Sequence, residues 1–281
     1  MRNRAANYIP ELKGDLLNEI IEVTRDFTAP PLILTRILEL TSEPNVPIEK
    51  IADVLSSDVA TAAKILKLSN SAFYGRSRNI SSIREAIVLL GIHTVRSLVV
   101  ASSTHSLYSS STMLRDLKRS MWEHSLAAAI FCKMMARQQR TFPPEEAFLA
   151  GLLHDVGKLV LLERFPDKYS EILTQNDITT AAALDLEKQL FQFTHQDVGA
   201  ALVDGWLLPD VLVGAIGQHH ESNDLHQLSG LTAIADAVVS MNGHNILEPD
   251  AAQKKSIEDL ELDELVAQFE DEFSEQSRLF E

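Results

Sequence analysis

Apolar residues recur at three- and four-residue intervals along almost the whole chain, and that spacing constrains its fold more than any other feature. A 3.6-residue repeat gathers side chains on one face of a helix, whereas in a strand the same positions would scatter to both faces. No alternating apolar and polar run is bounded by turn residues, and no Asn-Gly or Asp-Gly pair joins two β-rich segments. The expected fold class is therefore all-α. With 281 residues, 45% of them hydrophobic, one large domain or two of ordinary size can fill a core.

Punctuation cuts the pattern into helices. Pro30 and Pro31 open one that carries Leu32, Leu34, Ile37 and Leu38, since proline in a first turn forfeits no hydrogen bond. Pro47 stands similarly before Ile48, Ile51, Ala52 and Leu55, and Asp58 caps a helix with Ala63, Ile65, Leu66 and Leu68. Ser81-Ser82-Ile-Arg-Glu85 is a capping-box pattern ahead of Ala86 to Leu90, and Gly91 can adopt the left-handed cap. A long helix is expected over 120–137, another from Pro143-Pro144 into Leu153, and others near 179–192, 195–207, 209–220 and 228–242.

Charge removes some functions. Lys and Arg total 25 against 40 Asp and Glu, a formal net charge of −15, which repels phosphate backbones and argues against nucleic acid as a partner. The pair of helices at 47–69 resembles a helix-turn-helix, yet carries only Lys50, Lys64 and Lys67 as cations, so its reading is packing. Cys132, the single cysteine, has no disulfide partner within the chain and sits among small apolar residues, which fits a reducing cytoplasm. No signal segment opens the chain. The longest uncharged stretch, 97–114, contains nine Ser or Thr, whereas a membrane span needs about 20 mostly apolar residues, so none is expected. From Glu248 onward, 12 acidic residues face Lys254, Lys255 and Arg278, a net of −9. Within that segment Leu262, Leu265, Val266, Phe269 and Phe273 form one helical stripe, so a docked or partner-binding helix is as open a reading as disorder.

Chemistry enters at Gly151-Leu-Leu-His-Asp-Val-Gly-Lys158. His154 and Asp155 end a helix that is otherwise apolar, and burying them without partners is costly. A metal ion solves that problem, because imidazole and carboxylate are both good ligands for Fe, Mn, Zn, Co or Ni. His124, His195, His219, His220 and Asp236 add further ligand types on neighbouring helices. His93, His105, His226 and His244 fall outside this pattern and read as surface or structural residues, while Trp122 and Trp206 read as core or pocket wall.

The order His…His-Asp…His…His-His…Asp over 124–236 resembles the metal-dependent phosphohydrolases of the HD superfamily. That resemblance implies one metal held by His124, His154, Asp155 and Asp236, and a second helped by His195, His219 and His220. It places Lys158 near substrate phosphate, so Asp155 and Lys158 become the candidate catalytic residues. The implied cofactor is one or two divalent ions.

Residues 28–242 further resemble the HDOD domain, a bacterial signalling relative of HD hydrolases. Leu66-Lys-Leu-Ser-Asn-Ser-Ala-Phe-Tyr-Gly75 and Ile80-Ser-Ser-Ile-Arg-Glu-Ala-Ile-Val-Leu-Leu-Gly91 carry the likeness, supported by His154-Asp-Val-Gly-Lys158 and His195-Gln-Asp-Val-Gly199. The implied organisation is an N-terminal extension at 1–27, a helical half at 28–115, an HD-like half at 116–242 and the acidic segment at 243–281. Many HDOD proteins have lost the ligands and look like regulatory modules, but this sequence retains them. The resemblance thus implies a cytoplasmic signalling protein that hydrolyses or binds a phosphorylated small molecule or nucleotide and has a signalling protein partner. The alternative is a non-catalytic interaction module with a structural metal. The HD-GYP phosphodiesterases share His219-His-Glu221 and the spacing to Asp224, yet Leu225-His226 follow and the Gly-Tyr-Pro loop is absent, which disfavours cyclic di-GMP hydrolysis.

Overall fold

A computed structural model describes residues 14–24, 32–42, 46–70, 80–109, 114–258, 260–278 and 280. Pro30, Pro31 and positions 71–75 of the HDOD-like motif lie outside the described residues. In chain order the helices are α1 (Gly14–Thr24), α2 (Leu32–Ser42), α3 (Ile48–Ser56), α4 (Val59–Ser69), α5 (Ile83–Leu90), α6 (Ile92–Ser109), α7 (Arg115–Gln139) and α8 (Pro144–Leu153). They continue with α9 (Val156–Arg164), α10 (Pro166–Leu173), α11 (Thr180–Phe191), α12 (His195–Gly205), α13 (Asp210–Gly217), α14 (Leu228–Met241), α15 (Ala251–Glu258) and α16 (Asp263–Ser277). The described residues hold no sheet; their only extended pairing is a parallel bridge between Thr179 and Glu248. The chain is all-α.

Local chemistry sets the helix ends. Asp58 accepts the Thr61 N–H at 2.8 Å at the start of α4. Ser82 accepts the Glu85 N–H while the Glu85 carboxylate accepts from Ser81 N–H, both at 3.2 Å, so the capping box closes one residue wide of the usual register. Gly91, at φ +82°, ends α5, and the chain turns through 117° into α6. No single helix among the described residues is long and apolar enough to cross a membrane.

The chain divides into two compact units. One comprises Pro30–Ser110 and Gln268–Glu281, where α2 packs on α3 and α6, and α4 on α5 and α6. The other comprises Met1–Ala29 and Ser111–Ala267, so α1, which precedes the first unit in sequence, packs on α9 and α12 of the second. The acidic segment forms α15 and α16, with Leu262, Leu265 and Phe269 buried. Burial of such side chains contributes roughly 1.5–3 kcal/mol each, which offsets part of the local repulsion between negative charges. Trp122 and Trp206 are core residues.

In the second unit two helix pairs come unusually close. The fully buried Ala128 and Ala129 of α7 meet α8 at Gly151, where an added Cβ would lie 2.6 Å from the Ala128 carbonyl oxygen. α9 crosses α12 at Gly157, where an added Cβ would lie 1.9 Å from the His195 carbonyl oxygen. α14 closes the group against α7, α8 and α13. These approaches bring the middle of α7, the α8–α9 junction, the start of α12, the end of α13 and the middle of α14 to one buried centre.

A candidate metal centre

Asp155, at the α8–α9 junction, organises the centre because its two oxygens face different histidines. Oδ2 lies 3.4 Å from the Nε2 atoms of both His124 and His154. Asp236 of α14 completes this first set, its Oδ1 lying 3.2 Å from His124 Nε2 and 3.8 Å from His154 Nε2. Oδ1 of Asp155 faces the second set, 3.5 Å from His195 Nε2 and 3.7 Å from His219 Nε2. His220 joins there with its Nε2 3.2 Å from that of His195. All seven side chains that the resemblance assigns to metal therefore gather in one cluster, and two subsets of ligand atoms, His124, His154 and Asp155, and Asp155, His195, His219 and His220, are spaced to hold an ion.

The remaining ring nitrogens fix the orientation. His124 Nδ1 donates to the His244 carbonyl at 2.6 Å, His154 Nδ1 to the Gly151 carbonyl at 2.7 Å and His219 Nδ1 to the Ile216 carbonyl at 2.7 Å. A carbonyl only accepts, so the proton belongs to Nδ1 in each ring and Nε2 is left to face the centre. His195 is held differently. Glu187, fully buried on α11, accepts its backbone N–H at 2.8 Å and its Nδ1–H at 2.9 Å, while Tyr169 Oη donates to the same carboxylate at 2.6 Å.

These residues fit a cation. His124 Nε2 lies 3.2 Å from His154 Nε2, and His195 Nε2 lies 3.4 Å from His219 Nε2, distances at which two neutral lone pairs repel unless a positive centre intervenes. Among the described residues the buried Asp155 Oδ1 has no hydrogen-bond partner, an expensive condition for a carboxylate oxygen that receives nothing else. Burial works against charge on His124, yet the carboxylates of Asp155 and Asp236 outweigh it and lift its pKa to about 9. In the metal-free protein a proton on His124 thus occupies the direction a metal would take. Burial opposes ionisation of Asp236 as well, but His124 and His154 hold it down at about 2. Asp155 is likewise held well below the usual carboxylate range, against burial, by His154, Lys158 and His124. Burial pushes His219 down to about 4 and also lowers His220, leaving both rings neutral.

Lys158 is buried, with Nζ 2.6 Å from Asp155 Oδ2. Its position is against the shared carboxylate. Ser120, one turn before His124, is exposed and stands apart from the cluster. A cavity of about 180 Å³ reaches His219 and His220. Sequence reasoning missed Glu187 and Tyr169. The signal for Glu187 was present, since it shares the buried face of α11 with Ala183 and Phe191, where a lone carboxylate demands a partner. Nothing in the sequence marked the His244 carbonyl, because any residue offers one.

Residues 28–222 match the HDOD domain family. A crystallised HDOD domain protein from Geobacter sulfurreducens is similar over 92% of this chain and 95% of its own, with a TM-score of 0.72 and 23% identity, a likeness of fold. In sequence, the chain is 26% identical over 199 residues to an uncharacterized protein of Treponema pallidum, covering 68% of this chain and 37% of that protein. It is 29% identical over 199 residues to the cyclic di-GMP phosphodiesterase CdgJ of Vibrio cholerae, covering 66% of this chain and 44% of that protein. The chain thus matches less than half the length of either curated relative. With a family match over more than two thirds of its length, and the paired histidine and aspartate sets in one buried centre, the chain belongs to the HDOD family.

Proposed function

We propose that this HDOD protein is a metal-dependent phosphohydrolase-type signalling protein that binds, and hydrolyses, a phosphorylated small molecule or nucleotide. The observation that carries the reading is Asp155, whose two oxygens face two separate histidine sets in one buried centre. His124, His154, Asp155 and Asp236 would hold the first divalent ion, and His195, His219 and His220, with Asp155 shared, the second. Such ions supply Lewis acidity that lowers the pKa of water and offsets charge on phosphate oxygens. Glu187 orients His195, the three backbone carbonyls orient His124, His154 and His219, and Lys158 holds Asp155 ionised and would add positive charge to the centre.

The rival reading, an interaction module with a structural ion, calls for a closed site. The cavity reaching His219 and His220 supports the open alternative. The named activity of the Vibrio cholerae relative is not carried over, since the match covers 44% of that protein and the Gly-Tyr-Pro loop is missing here. A cytoplasmic setting and a signalling protein partner belong to the same proposal.

The test is metal analysis of protein purified without chelator, alongside hydrolysis of bis(4-nitrophenyl) phosphate. One or two ions per chain, and hydrolysis lost in Asp155→Ala, are expected. Metal-free protein, or equal turnover by both proteins, would sink the reading.

A further inference from the structure

The cavity beside the second histidine set has an unusual wall. One side comes from Thr180 at the start of α11, and another from Asp250 and Gln253 at the start of α15, beyond the residues that match the HDOD family. The two sides are tied together, because Thr180 N–H donates to the Glu248 carbonyl and Glu248 N–H donates to the Ile178 carbonyl, both at 2.9 Å. Asp250 and Gln253 also brace each other. The Asp250 carboxylate accepts the Gln253 N–H, and the Gln253 amide oxygen accepts the Asp250 N–H, both at 2.9 Å. The acidic segment therefore enters the site region as a fixed wall.

Apolar Ala181, Leu184, Ala233 and Ala252 share the lining with polar groups. Thr180, Asn223 and Gln253 offer neutral hydrogen-bonding groups, Asp250 adds one negative charge, and no lysine or arginine lines the cavity among the described residues. Asn223 is exposed at the rim, and its side-chain amide has no partner among the described residues. His220 also lines the cavity and differs from the other four clustered histidines. Their Nδ1 atoms are held by a carbonyl or by Glu187, whereas His220 Nδ1 is buried with no hydrogen-bond partner among the described residues. A hydroxyl group can donate to the Asp250 carboxylate and accept from the Asn223 amide; a second phosphate or carboxylate would meet Asp250 and find no cation.

We propose that this cavity is a subsite for an uncharged, hydroxyl-bearing arm of the ligand, with the segment around Asp250 and Gln253 selecting against a second anionic group. The inference rests on the reading of the centre as a phosphate-binding metal site. It makes Asn223 and Asp250 specificity-determining residues, although neither belongs to the metal-ligand set.

Three phosphonates that cannot be hydrolysed test it by calorimetric titration of the Mn²⁺-loaded full chain: methylphosphonate as anchor alone, 2,3-dihydroxypropylphosphonate with a neutral arm, and 3-phosphonopropionate with an anionic arm. The neutral arm is expected to bind about three- to ten-fold tighter than the anchor, the increment of one net hydrogen bond, and the anionic arm no tighter. Asn223→Ala should cut the gain from the neutral arm without changing methylphosphonate affinity. Asp250→Asn keeps the capping oxygen, and should tighten 3-phosphonopropionate selectively. Equal affinity for the anchor and the neutral arm in the wild type, or equal loss for both in Asn223→Ala, overturns the subsite and leaves the metal-site reading standing. Failure of the loaded protein to bind any phosphonate instead overturns the metal-site reading, and this inference with it.

Discussion

Glu187 grips His195 at two points, accepting its backbone N–H at 2.8 Å and its ring Nδ1–H at 2.9 Å. The carboxylate fixes the tautomer and the angle of a residue that faces only the second histidine set. Glu187→Ala should therefore weaken metal binding at the second position about 10- to 100-fold and leave the first unchanged. Stepwise metal titration separates the two, and equal weakening of both would contradict this division.

Asp155 and Lys158 form a buried pair, and removing one partner strands the other. Asp155→Ala should lose metal at both positions and destabilise the fold by about 3–5 kcal/mol, because Lys158 is left charged and buried. Adding Lys158→Met should recover most of that stability without recovering metal. Denaturant unfolding with metal analysis checks both halves. Retained metal in the single variant, or no recovery in the double variant, would count against the pairing.

Metal affinity should rise with pH between about 6.5 and 9. His124 titrates near 6.5 in the unfolded chain and at about 9 in the folded one. Its charged form therefore stabilises the metal-free fold fully below pH 6.5, and that contribution disappears as pH climbs through 9. A metal at His124 Nε2 must displace this proton, so affinity should gain about ten-fold per pH unit in that window, with one proton released. Asp236, held at about 2, and His219, pushed down to about 4, are deprotonated throughout and add no slope. A flat affinity profile from pH 6.5 to 8.5 would reject the assignment of His124.

The substrate-free protein should hold at most two metals per chain. Two divalent ions already place +4 against Asp155 and Asp236, and a third would raise this to +6 with no further anionic ligand from the protein. Some HD-GYP relatives with three metals have a glutamate one turn before the first histidine; here that position is Ser120, exposed and outside the cluster. Anomalous scattering from metal-soaked crystals without phosphate counts the ions, and three fully occupied peaks would refute the limit.

Much of the fold was legible in advance because its causes are local. The 3.6-residue repeat, the Asp58 and Ser82 caps and the Gly91 stop act within a few residues, so the helices lie close to where periodicity put them. The ligand types were legible too, since a histidine and an aspartate at the end of an apolar helix call for a partner wherever that helix packs.

What the sequence determined by itself was an all-α chain carrying five histidines and two aspartates able to hold metal. Tertiary structure alone decided that Asp155 is shared, that Glu187 holds His195, and that the acidic segment walls a cavity beside His220. The reason is physical. Periodicity sets which face of a helix is buried, but which residues meet depends on how closely two backbones approach. At Gly151 and Gly157 that approach is set by the absence of a Cβ, which brings together carbonyls and side chains far apart in the chain.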